Sequence, residues 1–324
     1  MTTRSVIRAT GLYLPERVVP NSHFEATLDT TDAWIRERTG IEERRFAAED
    51  EATSDLAIRA AQAALDRAGL AADAVDAVIV ATSTPDLTFP AVATMVQAGL
   101  GMTRGFAFDV QAVCAGFVFG LANADALIRG GLAQRVLVIG AETFSRIMDW
   151  TDRGTCILFG DGAGAVLLEA AEGAGTAADR GILGVDLHSD GRLRDILYVD
   201  GGVATTGTAG KLRMQGNLVF RQAVEKLAAT AQAALDRAGV APSEVDWLVP
   251  HQANLRIIAA TAQKLGLPME RVVLTVAKHG NTSAASIPLA LATADAEGRF
   301  AAGDMIVTEA IGGGMAWGAV VLRW

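Results

Sequence analysis

The chain has 324 residues, 51% hydrophobic and 20% charged, with a formal net charge of −9. That length supports a large buried core, in two domains or one fused double domain, and an acidic chain with no basic run argues against a nucleic-acid partner. Two cysteines, Cys114 and Cys156, are too few for a disulfide framework and suit a reducing compartment.

The segment Met1 to Pro20 carries scattered charge and no apolar stretch of the signal-peptide kind. The longest uncharged run, Leu87–Thr103, contains Pro90, Gln97, Gly99 and Gly101, and falls short of the ~20 apolar residues that cross a bilayer. A soluble, cytoplasmic protein with no membrane contact is the expectation.

In chain order, a first strand is expected over residues 5–14, then a short, highly charged helix from Asp32 that Gly40 stops. Trp34 stands out in it, either as a packing anchor or as a stacking platform. An Ala-rich amphipathic helix covers residues 52–68 and ends at Gly69, and residues 75–82 read as a strand. The stretch Ala107–Phe117 then runs from apolar residues into a lone Cys114, followed by small residues and an Ala/Leu-rich segment through Ile128. This reads as strand, tight turn and helix, with Cys114 at the turn. Unpaired N–H groups and the positive end of the helix dipole would favour thiolate there; the plain alternative is a buried structural cysteine. Cys156 reads as a core strand residue, and His23 and His188 as structural or surface residues.

The second half repeats the first. Gln62-Ala63-Ala64-Leu65-Asp66-Arg67-Ala68-Gly69 recurs as Gln232-Ala233-Ala234-Leu235-Asp236-Arg237-Ala238-Gly239, and Val75-Asp76, Leu121-Ala122 and Ala124-Asp125-Ala126 recur at the same offset of 170 residues. One register held across separate windows marks a duplicated half. It places Cys114 on Ala284 and Ala81 on His251. If the halves pair about a pseudo-twofold axis, both strand–helix turns meet at one site, where function in open α/β sheets sits.

Three further features fall on or near those turns: His251 in Pro250-His251-Gln252-Ala253-Asn254, Asn281 in Lys278-His279-Gly280-Asn281-Thr282-Ser283, and the glycines 312–314. Singly, each has a plain reading, as a hydrogen-bonded histidine, a turn and a bend. No metal-ligand spacing, phosphate loop or dinucleotide fingerprint occurs.

Together with Thr151-Asp152-Arg153-Gly154, Phe159-Gly160-Asp161-Gly162-Ala163-Gly164-Ala165 and Ala115-Gly116-Phe117, these motifs resemble the β-ketoacyl-acyl-carrier-protein synthase III family of thiolase-like condensing enzymes, over the whole chain. The resemblance implies an α/β fold, a thiolase-like five-layer αβαβα of two duplicated βαβ-rich halves. Residues 1–175 would carry the nucleophile, and 176–324 the histidine and asparagine. It implies that Cys114 takes the acyl group of an acyl-CoA primer, that His251 and Asn281 hold the thioester carbonyl of malonyl-acyl-carrier protein during decarboxylation, and that the N–H groups of Cys114 and Gly313 form the oxyanion hole. Coenzyme A would lie along Trp34, Arg38, Arg153, Gly216 and Asn254, with adenine between Trp34 and Arg153. The acyl pocket would be lined by Phe89, Phe144, Phe159, Leu197 and Leu212, with Phe89 reaching across a homodimer. Arg256, Lys264 and Arg221 would meet the acidic carrier protein. No cofactor or metal is implied, since acyl-CoA and malonyl-acyl-carrier protein are substrates. The aromatic pocket suggests a short primer such as acetyl. The alternatives are a starter-unit ketosynthase with another primer, a catalytically silent partner subunit, and a cysteine thioester hydrolase. A biosynthetic thiolase would need a second cysteine towards the C-terminus, and none follows Cys156.

Overall fold

Runs rich in Val, Ile and Ala, bounded by Gly and polar turns, form strands buried on both faces. The computed structural model describes all 324 residues. In the N-terminal half, five strands lie in the spatial order Thr2–Tyr13, Asp161–Gly173, Arg135–Thr143, Ala77–Ala81 and Phe106–Val110. The first two pairings are antiparallel and the last two parallel. The C-terminal half repeats this order as Gly181–Ser189, Ala316–Arg323, Met305–Gly312 and Trp247–Pro250, again antiparallel, antiparallel, then parallel. The fifth position shrinks to a single parallel bridge between Leu248 and Val272.

The helices divide by hydrophobic coverage. Helix Thr53–Ala68 buries one stripe, Leu56, Ala57, Ala60, Ala61, Ala64 and Leu65, and leaves Arg59, Gln62, Asp66 and Arg67 in solvent, so it lies on the outer face of the first sheet. Helix Gly216–Ala238 covers the outer face of the second sheet. Helix Ser286–Ala296 is buried nearly all round, and with helix Gly116–Arg129 it forms the layer between the sheets. The result is five layers, helix, sheet, helix, sheet, helix. The duplicated helix ends are alike in detail. Gly69 and Gly239 cap their helices at φ 67° and 68°, and Gln62 and Gln232 each donate to the aspartate four residues on, at 2.7 and 2.8 Å.

Two two-stranded antiparallel sheets fall outside the duplicated pattern, Arg17–Pro20 with Glu43–Phe46 and Leu197–Val199 with Leu212–Met214. Cys156 departs from its expected strand. It ends a short helical turn, Arg153–Cys156, that Asp152 caps by accepting from Gly154 N–H, and its side chain is buried. No helix is long and apolar enough to cross a membrane.

The middle layer sits tightly on the first sheet. A Cβ at Gly164 would come within 2.5 Å of Leu289 N, and one at Gly140 would overlap the Ala284 carbonyl oxygen. Gly164→Ala is therefore expected to cost at least 1–3 kcal/mol in urea unfolding through overpacking. Gly191→Ala, where an added Cβ meets nothing within 4 Å, should change stability by less than about 0.5 kcal/mol.

Candidate active site

Strand Phe106–Val110 leads into a single turn, Val113–Ala115, from which helix Gly116–Arg129 starts. Val113 sits at φ 51°, a left-handed conformation that costs a β-branched residue of order 1–3 kcal/mol. The only other non-glycine with positive φ is Ser283, at 48°, the position 170 residues on, in the matching turn Ser283–Ala285. Strain is thus kept at the same place in both copies. The two turns touch: a Cβ on Gly116 would lie 3.5 Å from Ala284 Cβ. Cys114, His251 and Asn281 are each no more than 5% exposed.

The 281–286 segment holds the histidine and the asparagine. His251 follows strand Trp247–Pro250, and its backbone N–H donates to Glu309 O at 2.9 Å. Its Nδ1 lies 2.6 Å from Ser286 Oγ. That oxygen also accepts from Gln252 N–H at 3.3 Å; with the serine hydrogen given to Nδ1, the ring hydrogen rests on Nε2 as a donor. Burial pushes His251 down to about 3, so the ring is neutral. Asn281 is tied by its backbone to Leu158 O and Gly160 N, at 2.9 and 3.0 Å, and its Oδ1 accepts from Ser283 N–H at 2.9 Å. With the carbonyl end occupied, the amide NH2 is the free donor.

Cys114 departs from the thiolate expectation. Burial, the largest effect, pushes it up to about 12; the Ser283 hydroxyl pulls it down and the nearby Glu142 pushes it up. Desolvation of a sulfur anion outweighs the dipole of the helix that starts two residues later, so the resting group is a thiol.

The glycine run is a packing requirement as well as a candidate donor. A Cβ at Gly312 would stand 2.6 Å from Cys114 N, and one at Gly313 would stand 2.6 Å from Leu197 O. Beside it opens a cleft of about 1100 Å3, lined in part by Ala112, Val113, Phe144, Leu197, Leu212 and Gly313. Phe144 stacks on Phe159 at 4.9 Å, and both are buried in one apolar cluster with Leu197 and Leu212. Phe89 stands apart, 80% exposed and not lining its own chain's cleft.

Trp34, Arg38, Arg153 and Asn254 form one surface group. The Arg153 and Arg38 guanidinium carbons lie 4.8 and 5.7 Å from the Trp34 ring centroid, and Asn254 Nδ2 donates to Arg38 O at 3.2 Å. Gly216, exposed, opens helix Gly216–Ala238. Arg256, Lys264 and Arg221 are all exposed and none joins an ion pair; Arg256 leans on the Phe220 ring at 5.6 Å.

Four residues of the site escape sequence reasoning: Ser283, Ser286, Glu142 and Glu309. The two serines lie in a motif already singled out. Glu142 lies next to last in one apolar strand and Glu309 in the middle of another, unusual places for a carboxylate. Glu142 is 0% and Glu309 1% exposed.

The family model for 3-oxoacyl-[acyl-carrier-protein] synthase III matches residues 108–191, and the model for its C-terminal part matches residues 235–324. The chain is 78% identical over 321 residues to β-ketoacyl-[acyl-carrier-protein] synthase III of Paracoccus denitrificans, covering 99% of each. It is 74% identical to the Rhodobacter capsulatus protein of that name, over all of both chains. Among solved structures, 3-oxoacyl-[acyl-carrier-protein] synthase III from Aquifex aeolicus superposes with TM-score 0.93 at 45% identity, covering 99% of this chain and 100% of that one. The priming β-ketosynthase of the R1128 polyketide pathway superposes with TM-score 0.93 at 32% identity, covering 100% and 97%.

The buried groups set opposing pH dependences. Glu309 is pushed up to about 8 and Glu142 to about 7 by burial, from an ordinary 4.5. His251 is pushed down to about 3 and His279 to about 4, from 6.5. As pH falls below 6.5, the unfolded imidazoles bind protons that the folded rings refuse, so stability drops. As pH rises above 4.5, the unfolded carboxyls release protons that the folded ones keep, so stability drops again. The melting temperature should therefore peak between these two values. Glu309→Gln should raise it relative to the parent at pH 8 and much less at pH 5; an equal change at both would contradict the assignment.

Proposed function

The chain belongs to the β-ketoacyl-[acyl-carrier-protein] synthase III family, and from that premise we propose that it starts fatty-acid synthesis by condensing a short acyl-CoA primer with malonyl-acyl-carrier protein. What supports this reading is that a buried thiol lies on one of the joined turns, and that a carboxamide and a neutral imidazole are hydrogen-bonded to the segment that forms the other.

Cys114, once deprotonated, attacks the primer thioester and keeps the acyl group, and coenzyme A leaves. The N–H groups of Cys114 and Gly313 take the oxyanion. His251 Nε2–H and the Asn281 amide then donate to the malonyl thioester carbonyl. Loss of CO2 puts an enolate charge on that oxygen, where fixed donors in a dry site act strongly. The carbanion attacks the acyl-Cys114 carbonyl and the 3-ketoacyl thioester departs. A neutral histidine suits this role, because its weakly acidic N–H donates to the enolate oxygen and keeps its proton.

Trp34 and Arg153 bind adenine, with the guanidinium moving off the ring to admit it; Arg38, Gly216 and Asn254 hold the rest of the nucleotide and its arm. Arg256, Arg221 and Lys264 form a positive edge on two adjacent helices for an acidic carrier, which an enzyme of net charge −9 needs locally. The exposed Phe89 covers the cleft of a second copy in a homodimer. The Phe144–Phe159 stack limits the primer to acetyl or a similar chain. A starter-unit role in a polyketide pathway is the second reading. The R1128 priming enzyme favours it, but at 32% identity against 78% for the Paracoccus protein.

Intact-mass measurement after exposure to a panel of acyl-CoA compounds tests the scheme. An adduct is expected on Cys114, absent in Cys114→Ala, and fastest from acetyl-CoA; faster loading of long or branched chains would overturn the primer assignment. His251→Ala and Asn281→Ala should still acylate but condense about 100- to 1,000-fold more slowly.

A further inference from the structure

Arg44 is a buried cation that no step above uses. It lies on strand Glu43–Phe46, 0% exposed, with its guanidinium carbon 4.8 Å from the centroid of the Phe24 ring. Its Nη1 donates to Val19 O at 3.2 Å and to Asn21 Oδ1 at 2.8 Å, and its Nη2 donates to Ile157 O at 2.5 Å. None of these acceptors is a carboxylate, and its Nε is buried without a partner. Burial pulls the group down to about 10, which leaves it charged at neutral pH. A buried guanidinium with neutral partners and one unmatched donor is a costly way to fill a core that an apolar side chain could fill.

What the guanidinium does is join segments that lie far apart in the chain. Asn21, also 0% exposed, donates from Nδ2 to Asp32 Oδ1 at 2.9 Å and to Ile41 O at 2.7 Å. Those acceptors stand at the first residue of helix Asp32–Thr39 and just beyond its end. One carboxamide thus holds both ends of the helix that carries Trp34 and Arg38. Ile157 directly follows the short helical turn Arg153–Cys156, which carries Arg153. The Arg44 fork therefore spans the two backbones whose side chains stack, the Arg153 guanidinium carbon 4.8 Å from the Trp34 ring centroid. Its own backbone is hemmed in, since a Cβ on Gly160 or Gly280 would stand 2.9 or 3.0 Å from Arg44 Cβ.

We infer that Arg44 is the positioning residue of the nucleotide site: with Asn21 it fixes how far helix Asp32–Thr39 stands from the Arg153 turn, and so sets the slot between Trp34 and Arg153. The inference rests on the acyl-CoA reading above and deepens it. The exposed side chains part to admit a flat ring, while the backbones beneath them keep the spacing that Arg44 sets. A guanidinium suits this task because its planar fork bonds in two directions at once, which an ammonium on a single nitrogen does not. Arg44 bonds to no residue of the Cys114 turn, so its effect falls on nucleotide binding and not on attack by the thiol.

Acylation of Cys114, followed by intact mass against thioester concentration, tests this with two primers: acetyl-CoA, and acetyl-pantetheine, which lacks the nucleotide. Arg44→Lys keeps the charge and loses the fork. It should need about 10-fold more acetyl-CoA for its half-maximal rate, with acetyl-pantetheine unaffected. Asn21→Asp keeps an acceptor for Arg44 but loses the donor to Asp32 and Ile41 O; it should show the same selective loss and serves if Arg44→Lys fails to fold. A merely structural cation makes a different forecast, in which lysine replaces arginine without effect or both primers suffer alike. Either result overturns the proposal. Trp34→Ala should also weaken acetyl-CoA selectively. If it does and the Arg44 and Asn21 variants do not, the proposal alone fails; if Trp34→Ala leaves acetyl-CoA unchanged, the adenine assignment fails and takes the proposal with it.

Discussion

The contact of two strand–helix turns across the pseudo-twofold axis is the constraint on which the rest of the molecule depends. The Cys114 turn and the Ser283 turn each begin with a left-handed residue, and both are followed by a helix of the middle layer. They meet closely because the residues under and between them are small: Gly140 and Gly164 lie beneath the second turn and helix, Gly116 faces Ala81 and Ala284, and Gly312 lies against Cys114 N. A larger side chain at any of these points would separate the halves. The strain stored in the two turns is offset by the packing of an almost wholly apolar middle layer.

The electrostatics of the site follow from that dry contact. Water is excluded, so every titratable group shifts towards its neutral form: the Cys114 thiol, the His251 and His279 rings, and the Glu142 and Glu309 carboxyls. A site at rest in this state holds little charge and many oriented dipoles. It suits chemistry in which negative charge arises briefly on a carbonyl oxygen, since fixed N–H groups meet that charge without rearranging. Seen this way, His251 and Asn281 are related devices. In each, one end of a polar side chain is occupied by a serine of the 281–286 segment, by Ser286 Oγ and by Ser283 N–H respectively, so the other end is left to donate.

The surface group around Trp34 obeys different rules. It lies outside the duplicated core, on a short capped helix whose Trp34 N–H is taken by Thr31 Oγ1 at 3.1 Å, and it is held by stacked guanidinium groups rather than burial. Half-exposed aromatic and cationic side chains can part and re-form around a flat ligand at little cost, whereas the buried site cannot adjust without unpacking.

The duplication was legible in the sequence because helix caps and amphipathic stripes are local. The Asp-Arg-Ala-Gly ends, the Gly69 and Gly239 caps and the turn placing Cys114 before a helix all need only neighbouring residues to form. The register of 170 residues then located the partner turn, and the motifs around His251 and Asn281 marked which residues to watch. What the sequence could not disclose was every property set by residues far apart in the chain. The thiol state of Cys114 departs from its local helix-dipole reading because burial under the second half dominates. The pairing of His251 with Ser286, the isolation of Phe89 from its own cleft, the helical rather than strand setting of Cys156 and the burial of Glu142 against Thr82, Ser83 and Thr84 are likewise tertiary. Local hydrogen bonding chose the elements. Desolvation and long-range contact, which depend on how the two copies close on each other, chose the protonation states and the partners.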